Sequence, residues 1–247
     1  MVRFMNNPKV TVIMPVYNGE KFIREAIESI LNQSFNDFEI IIINDGSTDK
    51  TEQISKSYLK NKRVRYFRQN NQGNSAACNQ GYIFAKGEYI CFQDCDDISF
   101  PNRLEEEVEI LEKNDDIELV YSPAIFLDDD DKPFTEWGGI KPGKISHIEA
   151  FYKLYIEGNF IPNPSVMFKR RHIKGKYLFN DDLKICTDYE HHLITIHDYD
   201  IYEIEKSLVK IRRGSSHQHL TASREKNFKA ERKILKNIRK LFWNKEP

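Results

Sequence analysis

The sequence predicts an α/β protein with a mostly parallel central sheet flanked by helices. Three observations carry that expectation. Short β-rich runs alternate with helical patterns through the first hundred residues. The runs are apolar through their middles, which suits parallel strands covered on both faces. Polar and acidic residues collect where those runs end, and in folds of this kind ligands bind beyond the carboxyl ends of the strands.

The elements follow in order. "VTVIMPV" (10–16) is a short apolar run and reads as the first buried strand. "EKFIREAIESILNQ" (20–33) places Phe22, Ile23, Ala26, Ile27, Ile30 and Leu31 on one helical face. "FEIIIIND" (38–45) is a second strand. "STDKTEQISKSYLK" (47–60) reads as a helix with Asp49 as N-cap and Glu52 completing a capping box. "VRYFRQ" (64–69) is a third strand, and "NSAACNQGYIFAKG" (74–87) a helix ending near Gly87. "YICFQD" (89–94) is a fourth strand, after which Pro101 opens the helix "PNRLEEEVEILEKN" (101–114). Alternation of this kind implies right-handed crossovers. It places Tyr17, Asn44, Asp45, Asp94 and Asp96 along one rim.

The second half is less regular. "ELVYS" (118–122) and "PSVMFKR" (164–170) read as strands, and "IFLDDDDKPF" (125–134) as a hairpin with an acidic turn. "SHIEAFYKLYIEG" (146–158) and "TDYEHHLITIH" (187–197) read as helices, and "YEIEKSLVKIRRG" (202–214) as one extended segment. No repeat or low-complexity linker interrupts the chain. The expectation is one domain over 1–220, with halves 1–100 and 101–220, followed by a basic amphipathic helix over 221–247. In that tail Phe228, Leu235, Ile238, Leu241 and Phe242 could line one face, surrounded by lysines and arginines. Two readings stand: the helix lies on an anionic membrane through 224–243, or it packs its apolar face on its own domain.

Bulk properties exclude some classes. The 247 residues suffice for a real core, and a net charge of −1 provides no field that would draw nucleic acid. The four cysteines form no Cys-x-x-Cys pair and read as free thiols of a reducing compartment. The start "MVRFMNNPKV" has no long apolar stretch, and no run of 18 apolar residues occurs. The expected location is therefore the cytoplasm, with peripheral membrane contact through the tail as the open question.

The chemistry concentrates at strand ends. "CFQDCDD" (91–97) sets three aspartates within four positions after an apolar strand, which asks for a positive partner. Carboxylates suit hard cations, so the expected partner is Mg²⁺ or Mn²⁺ arriving with a nucleotide diphosphate. The competing reading is an acidic turn with Asp97 or Ser99 as a cap. In "INDGSTD" (43–49) Asp45 ends a strand and could accept a hydrogen bond from a base or ribose. In "MPVYNGE" (14–20) Tyr17 could stack on a base or be structural.

Taken in order, "VTVIMPVYNGEKFIREAIESILNQSFNDFEIIIINDGSTDKT", "NNQGNSAACNQGYIFAKGEYICFQDCDD" and "CTDYEHHL" resemble the bacterial-type family 2 glycosyltransferases of GT-A fold, over roughly residues 8–215. The resemblance implies a Rossmann-like nucleotide-binding first half and an acceptor-binding second half. It implies inverting transfer from a nucleotide-sugar, usually a UDP-sugar, to a saccharide or lipid-linked acceptor in polysaccharide, lipopolysaccharide or glycoprotein assembly. By motif position Pro15, Tyr17 and Asp45 would hold the nucleoside. Asp94 would lie near ribose or metal, and Asp96 would be the main metal ligand. Asp188 would be the catalytic base, with Arg212, Arg213 or His217 approaching the diphosphate. Read without the resemblance, Asp188 and Thr187 compete as helix caps.

The sequence departs from the family pattern at Asn44, Cys78 and Thr187, where acid, arginine and acid are frequent. His191, His192 and His197 read as packing or surface residues, and Trp137 sits in a glycine-rich loop suited to an acceptor pocket. A dinucleotide-binding oxidoreductase would want G-x-G-x-x-G after the first strand, which is absent. A sugar nucleotidyltransferase would want a glycine-rich basic loop there, which "PVYNGEKF" lacks. The rival from another class is a degenerate member that binds nucleotide or glycan without turnover; Asp45, Asp96 and Asp188 argue against it.

Overall fold

The computed structural model describes residues 7–172, 179–183, 185–213 and 224–242. In chain order the elements are β1 (Val10–Val16), α1 (Ile23–Leu31), β2 (Phe38–Asp45), α2 (Thr51–Ser57), β3 (Val64–Gln69), α3 (Asn74–Phe84), β4 (Tyr89–Phe92), β5 (Ile98–Ser99), α4 (Arg103–Lys113) and β6 (Ile117–Tyr121). There follow β7 (Ala124–Leu127), β8 (Pro133–Trp137), β9 (Gly143–Ile145), α5 (His147–Glu157), β10 (Met167–Lys169), α6 (Thr187–Ile196), β11 (Asp200–Glu203), β12 (Val209–Arg212) and α7 (Arg224–Phe242).

Eight strands form the main sheet in the order β3-β2-β1-β4-β10-β6-β11-β9. The first four run parallel. β10 enters antiparallel between β4 and β6, β11 runs parallel to β6, and β9 closes the edge antiparallel. The sheet is thus mixed, and its parallel part is the half whose strands are joined by helices. Alternation along β1 and β2 feeds two cores. Ile13, Ile41 and Ile43 face a layer containing α3, α5, α6 and α7, whereas Val12, Met14, Ile40 and Ile42 face α1 and α4. Gly81 lets α3 press onto β1: a Cβ there would lie 2.5 Å from Ile13 Cγ2.

Pro15 sits inside central β1, an unusual place for a residue without an N–H. Its register explains it. Ile13 offers its carbonyl to Gln93 on the β4 side, so Pro15, two residues on, turns its nitrogen the same way. The β1–β4 pairing has ended there, at Ile13 opposite Phe92. No ladder bond is lost.

Several boundaries differ from expectation. Pro101 lies in the turn before α4, which begins at Arg103. Asp49 accepts from the Thr51 amide at 2.9 Å, but Lys50 holds the N-cap position, and Glu52 pairs with Lys56 and Arg68 instead of closing a capping box. The extended segment 202–214 divides between sheets: β11 joins the main sheet and β12 a second sheet of order β5-β12-β7-β8. β7 and β8 form the expected hairpin. In α7, Ile234 and Ile238 are fully buried in the main core, Leu235 and Phe242 pack against it, and Phe228 and Leu241 are exposed. No helix of the described residues is long and apolar enough to cross a membrane.

Candidate functional site

The turns after β1 and β2 are fastened to each other. Asn18, at φ 51°, accepts from the Thr48 amide at 2.9 Å, and its own amide donates to Ser47 Oγ at 2.9 Å. The Gly19 amide donates to Thr51 Oγ1 and the Glu20 amide to Asp49. Asn44, where the family often has an acid, closes its own turn: Oδ1 accepts from the Ser47 amide and Nδ2 donates to the Tyr66 hydroxyl. Above this fastened rim Tyr17 is 52% exposed. Pro15 is buried beneath it in β1.

Asp45 is buried at the end of β2, and Gly46, at φ 78°, turns the chain away from it. Its carboxylate accepts from Gln69 Nε2 at 2.8 Å, the Gln72 amide at 2.9 Å and the Gly73 amide at 2.8 Å. A carboxylate has about four acceptor positions, so about one remains for a ligand. The loop leading into α3 is thereby tied to the end of β2.

Beyond β4 the loop Asp94–Asp97 is held by Gln93, Arg103 and Arg212, and of its own carboxylates only Asp97 takes part among the described residues. Gln93 Nε2 donates to the Asp94 and Asp97 carbonyls, and Gln93 Oε1 accepts from Ser99 Oγ. Fully buried Arg103 braces Gln93 and Ser99 and pairs with Glu107 at 2.9 Å. Asp97 is buried and accepts from the Arg212 amide at 3.1 Å. Asp94 and Asp96 are half-buried, and no donor among the described residues reaches either carboxylate. Burial, then the neighbouring charges of Asp96 and Asp188, push the Asp94 carboxyl up to about 7. Cys91 and Cys95 point to no metal role: burial raises both thiols, Cys91 to about 12.

Asp188 lies in the first turn of α6, one residue inside the helix, so it is not the N-cap; Cys186, at φ 57°, occupies that position. Its carboxylate accepts from Asn159 Nδ2 at 3.1 Å. Burial raises its pKa, opposed by first-turn amides, Arg213 and Asn159. Asn159, in the loop after α5, carried no local signal in the sequence. The same is true of Gln93 and Arg103, whose polar side chains face inward only because the loop needs donors and acceptors there.

Arg212 requires a correction. The expectation put it near a diphosphate, yet its guanidinium is 1% exposed and fully engaged within the protein. It donates to the Asp96 carbonyl at 2.6 Å, Glu25 at 2.6 Å and Asp131 at 2.6 Å, and lies over the Phe22 ring. It binds the acidic loop to α1 and to the β7–β8 turn. Arg213, exposed and stacked over Phe126, is the neighbour whose charge reaches both Asp94 and Asp188. His217 lies outside the described residues. His191 and His192 are buried packing residues, and His197 stacks on Phe242 at 3.7 Å. Trp137 stacks on Phe126 at 5.6 Å, on the hairpin that adjoins Arg213.

The donor set bears on a metal. No group of three or more His, Cys, Asp or Glu among the described residues is gathered to hold an ion alone. Two neighbouring carboxylates, Asp94 raised by burial and by the charges of Asp96 and Asp188, fit Mg²⁺ or Mn²⁺, which use one or two carboxylates and complete their shell with water and phosphate oxygens.

The architecture is GT-A-like: a mixed sheet flanked by helices. A fragment of S. aureus TarS spanning 1–349, solved with UDP, superposes with TM-score 0.74 at 19% identity, covering 94% of this chain and 65% of that one. The mannosyltransferase PcManGT from Pyrobaculum calidifontis, solved with GDP-Man and Mn²⁺, gives 0.66 at 18%, covering 94% and 65%. An uncharacterised glycosyltransferase of Methanocaldococcus jannaschii is 36% identical over 86% of this chain and 73% of its own. One of Rickettsia typhi is 35% identical over 83% of this chain and 64% of its own. The profile of glycosyl transferase family 2 matches residues 11–175, and the chain belongs to that family.

Proposed function

We propose that this glycosyltransferase performs inverting transfer of a hexosyl or N-acetylhexosaminyl group from a nucleotide-sugar, a UDP-sugar first, to a hydroxyl of a saccharide or lipid-linked saccharide. The observation that carries the proposal is the arrangement at the end of β4. Two carboxylates that no donor among the described residues reaches, Asp94 and Asp96, stand at the end of that strand, and the charge of a third, Asp188, bears on Asp94. Pro15, Tyr17 and Asp45 form the nucleoside side of the rim. TarS has been solved with UDP and with UDP-GlcNAc, and PcManGT with GDP-Man and Mn²⁺, which supports the donor class.

Asp188 takes the proton of the acceptor hydroxyl as that oxygen attacks the anomeric carbon. The new C–O bond forms while the bond to the diphosphate breaks, and the nucleoside diphosphate departs with the electron pair. Burial raises the Asp188 pKa toward the range a general base needs. Asn159 holds its carboxylate in place. Asp96 and Asp94 would hold Mg²⁺ or Mn²⁺, which would supply charge relief on the departing diphosphate. Of the three residues offered for the diphosphate, Arg213 takes that role, Arg212 being engaged within the protein. A cytoplasmic location fits the protein's four cysteines, which are free thiols.

The test is calorimetric titration of UDP with and without Mn²⁺, on the wild type and Asp96→Ala. Metal-dependent binding that disappears in the variant supports the reading. A wild type that binds neither UDP nor GDP, dTDP or CMP sinks it. With donor and acceptor in hand, Asp188→Asn should lower turnover by about 10²–10⁴ while UDP affinity stays unchanged. Undiminished transfer would remove Asp188 as base.

A further inference from the structure

The helical layer that carries Asp188 has an outer surface unlike the rest of the molecule. α5 buries Ala150 and Leu154. A helix of this kind ordinarily turns polar residues to water on the other side. α5 instead presents Ile148, Tyr152 and Ile156 there, 71%, 64% and 60% exposed. At four-residue spacing these three stack along one line, so they form a stripe and not scattered surface residues. The stripe runs toward the catalytic end of the layer, since the chain leaving α5 supplies Asn159 to Asp188.

α7 joins the same surface. Phe242, in its last turn, meets Phe151 of α5 edge-on at 6.2 Å and stacks on His197 just beyond α6. With Ile234 and Ile238 buried, the opposite side of α7 carries Arg232, Lys233, Lys236, Arg239 and Lys240, all exposed. None of these five is ion-paired to a carboxylate among the described residues. Leu241 and Phe228, 46% and 59% exposed, flank the cations. The whole chain has a net charge of −1, so this concentration is local.

An apolar stripe beside a cationic helix face complements one kind of surface: apolar within, anionic at its boundary. A second copy of the chain is a poor match, because a twofold contact would bring like-charged α7 faces together. We propose that α5 and α7 dock this protein on an anionic lipid surface. Ile148, Tyr152 and Ile156 enter the headgroup region and the α7 cations lie on it. The inference goes beyond the transfer reading and stands or falls separately from it.

The experiment is flotation of the full chain with vesicles of phosphatidylcholine, with and without phosphatidylglycerol, at low and high salt. One variant is Ile148→Ser with Ile156→Ser; the other is Lys236→Gln, Arg239→Gln and Lys240→Gln. All five positions are exposed, and thermal unfolding checks that both variants fold. The wild type should float with anionic vesicles only and be released by salt. The cation variant should lose about a hundredfold in partitioning and the isoleucine variant about tenfold. Absence of wild-type flotation, equal flotation on phosphatidylcholine alone, or indifference to both variants overturns the proposal. So does a concentration-dependent dimer in sedimentation that the isoleucine variant abolishes, since the stripe would then belong to a second copy.

Discussion

The ends of β2 and β4 lie on the same rim, and both are acidic, yet they are built in opposite ways. At the end of β2, Asp45 is closed off by three donors and serves first as a fastener for the loop before α3. At the end of β4, Arg103, Arg212 and Gln93 secure the loop, and no donor among the described residues reaches the Asp94 and Asp96 carboxylates. A carboxylate held by neutral donors is stable alone. Adjacent carboxylates without compensation cost stability until a cation arrives. The difference separates a carboxylate already satisfied within the protein from two that no donor among the described residues reaches.

The largest effect expected from breaking this contrast is at Asp45. Asp45→Ala leaves the Gln72 and Gly73 amides without their acceptor and should cost about 2–3 kcal/mol in urea unfolding. A loss near zero would mean that Asp45 does not fasten the loop before α3. At the other strand end the sign reverses. The folded Asp94 carboxyl titrates at about 7 against an ordinary 3.8, so the folded state holds the extra proton between those values. Stability without metal or nucleotide should therefore fall as pH rises through that window. Asp94→Asn should flatten the slope and raise the melting temperature above pH 7. A slope unchanged in the variant would mean that another group, such as Glu107 (also raised to about 7), produces it. The smallest effect is at the clamp. Glu25 is 56% exposed, so Glu25→Gln should cost about 1 kcal/mol or less, with Asp131 still holding Arg212. A larger loss would mean that the clamp depends on both acids together.

What was legible in the sequence follows from range. The first four strands, their helices and the acids at their ends were readable because a parallel βα unit writes its pattern locally: an apolar run, a turn, an amphipathic face. The hairpin at β7–β8 was readable for the same reason. β5 and β9, of two and three residues, carry too little pattern to be seen. The divided segment 202–214 looked continuous because both of its strands mix apolar with charged residues in a similar extended pattern, and only their separate partners distinguish them.

The same distinction applies to the site. By itself the sequence determined which residue types stand at the strand ends, hence the acidic pair after β4 and the carboxylate opening α6. Which of those groups are already satisfied was a tertiary decision. Asp45 found donors 24 to 28 residues away, and Asp188 found Asn159 29 residues away. Arg212 and Arg213 are adjacent in the chain, and nothing local assigns one to the interior. Alternation at the end of β12 turned the first into a buried clamp reaching Glu25, 187 positions distant, and left the second exposed over Phe126, its charge felt by Asp94 and Asp188. Hydrogen bonds across such separations depend on the packed positions of whole elements, so only the folded chain could settle them.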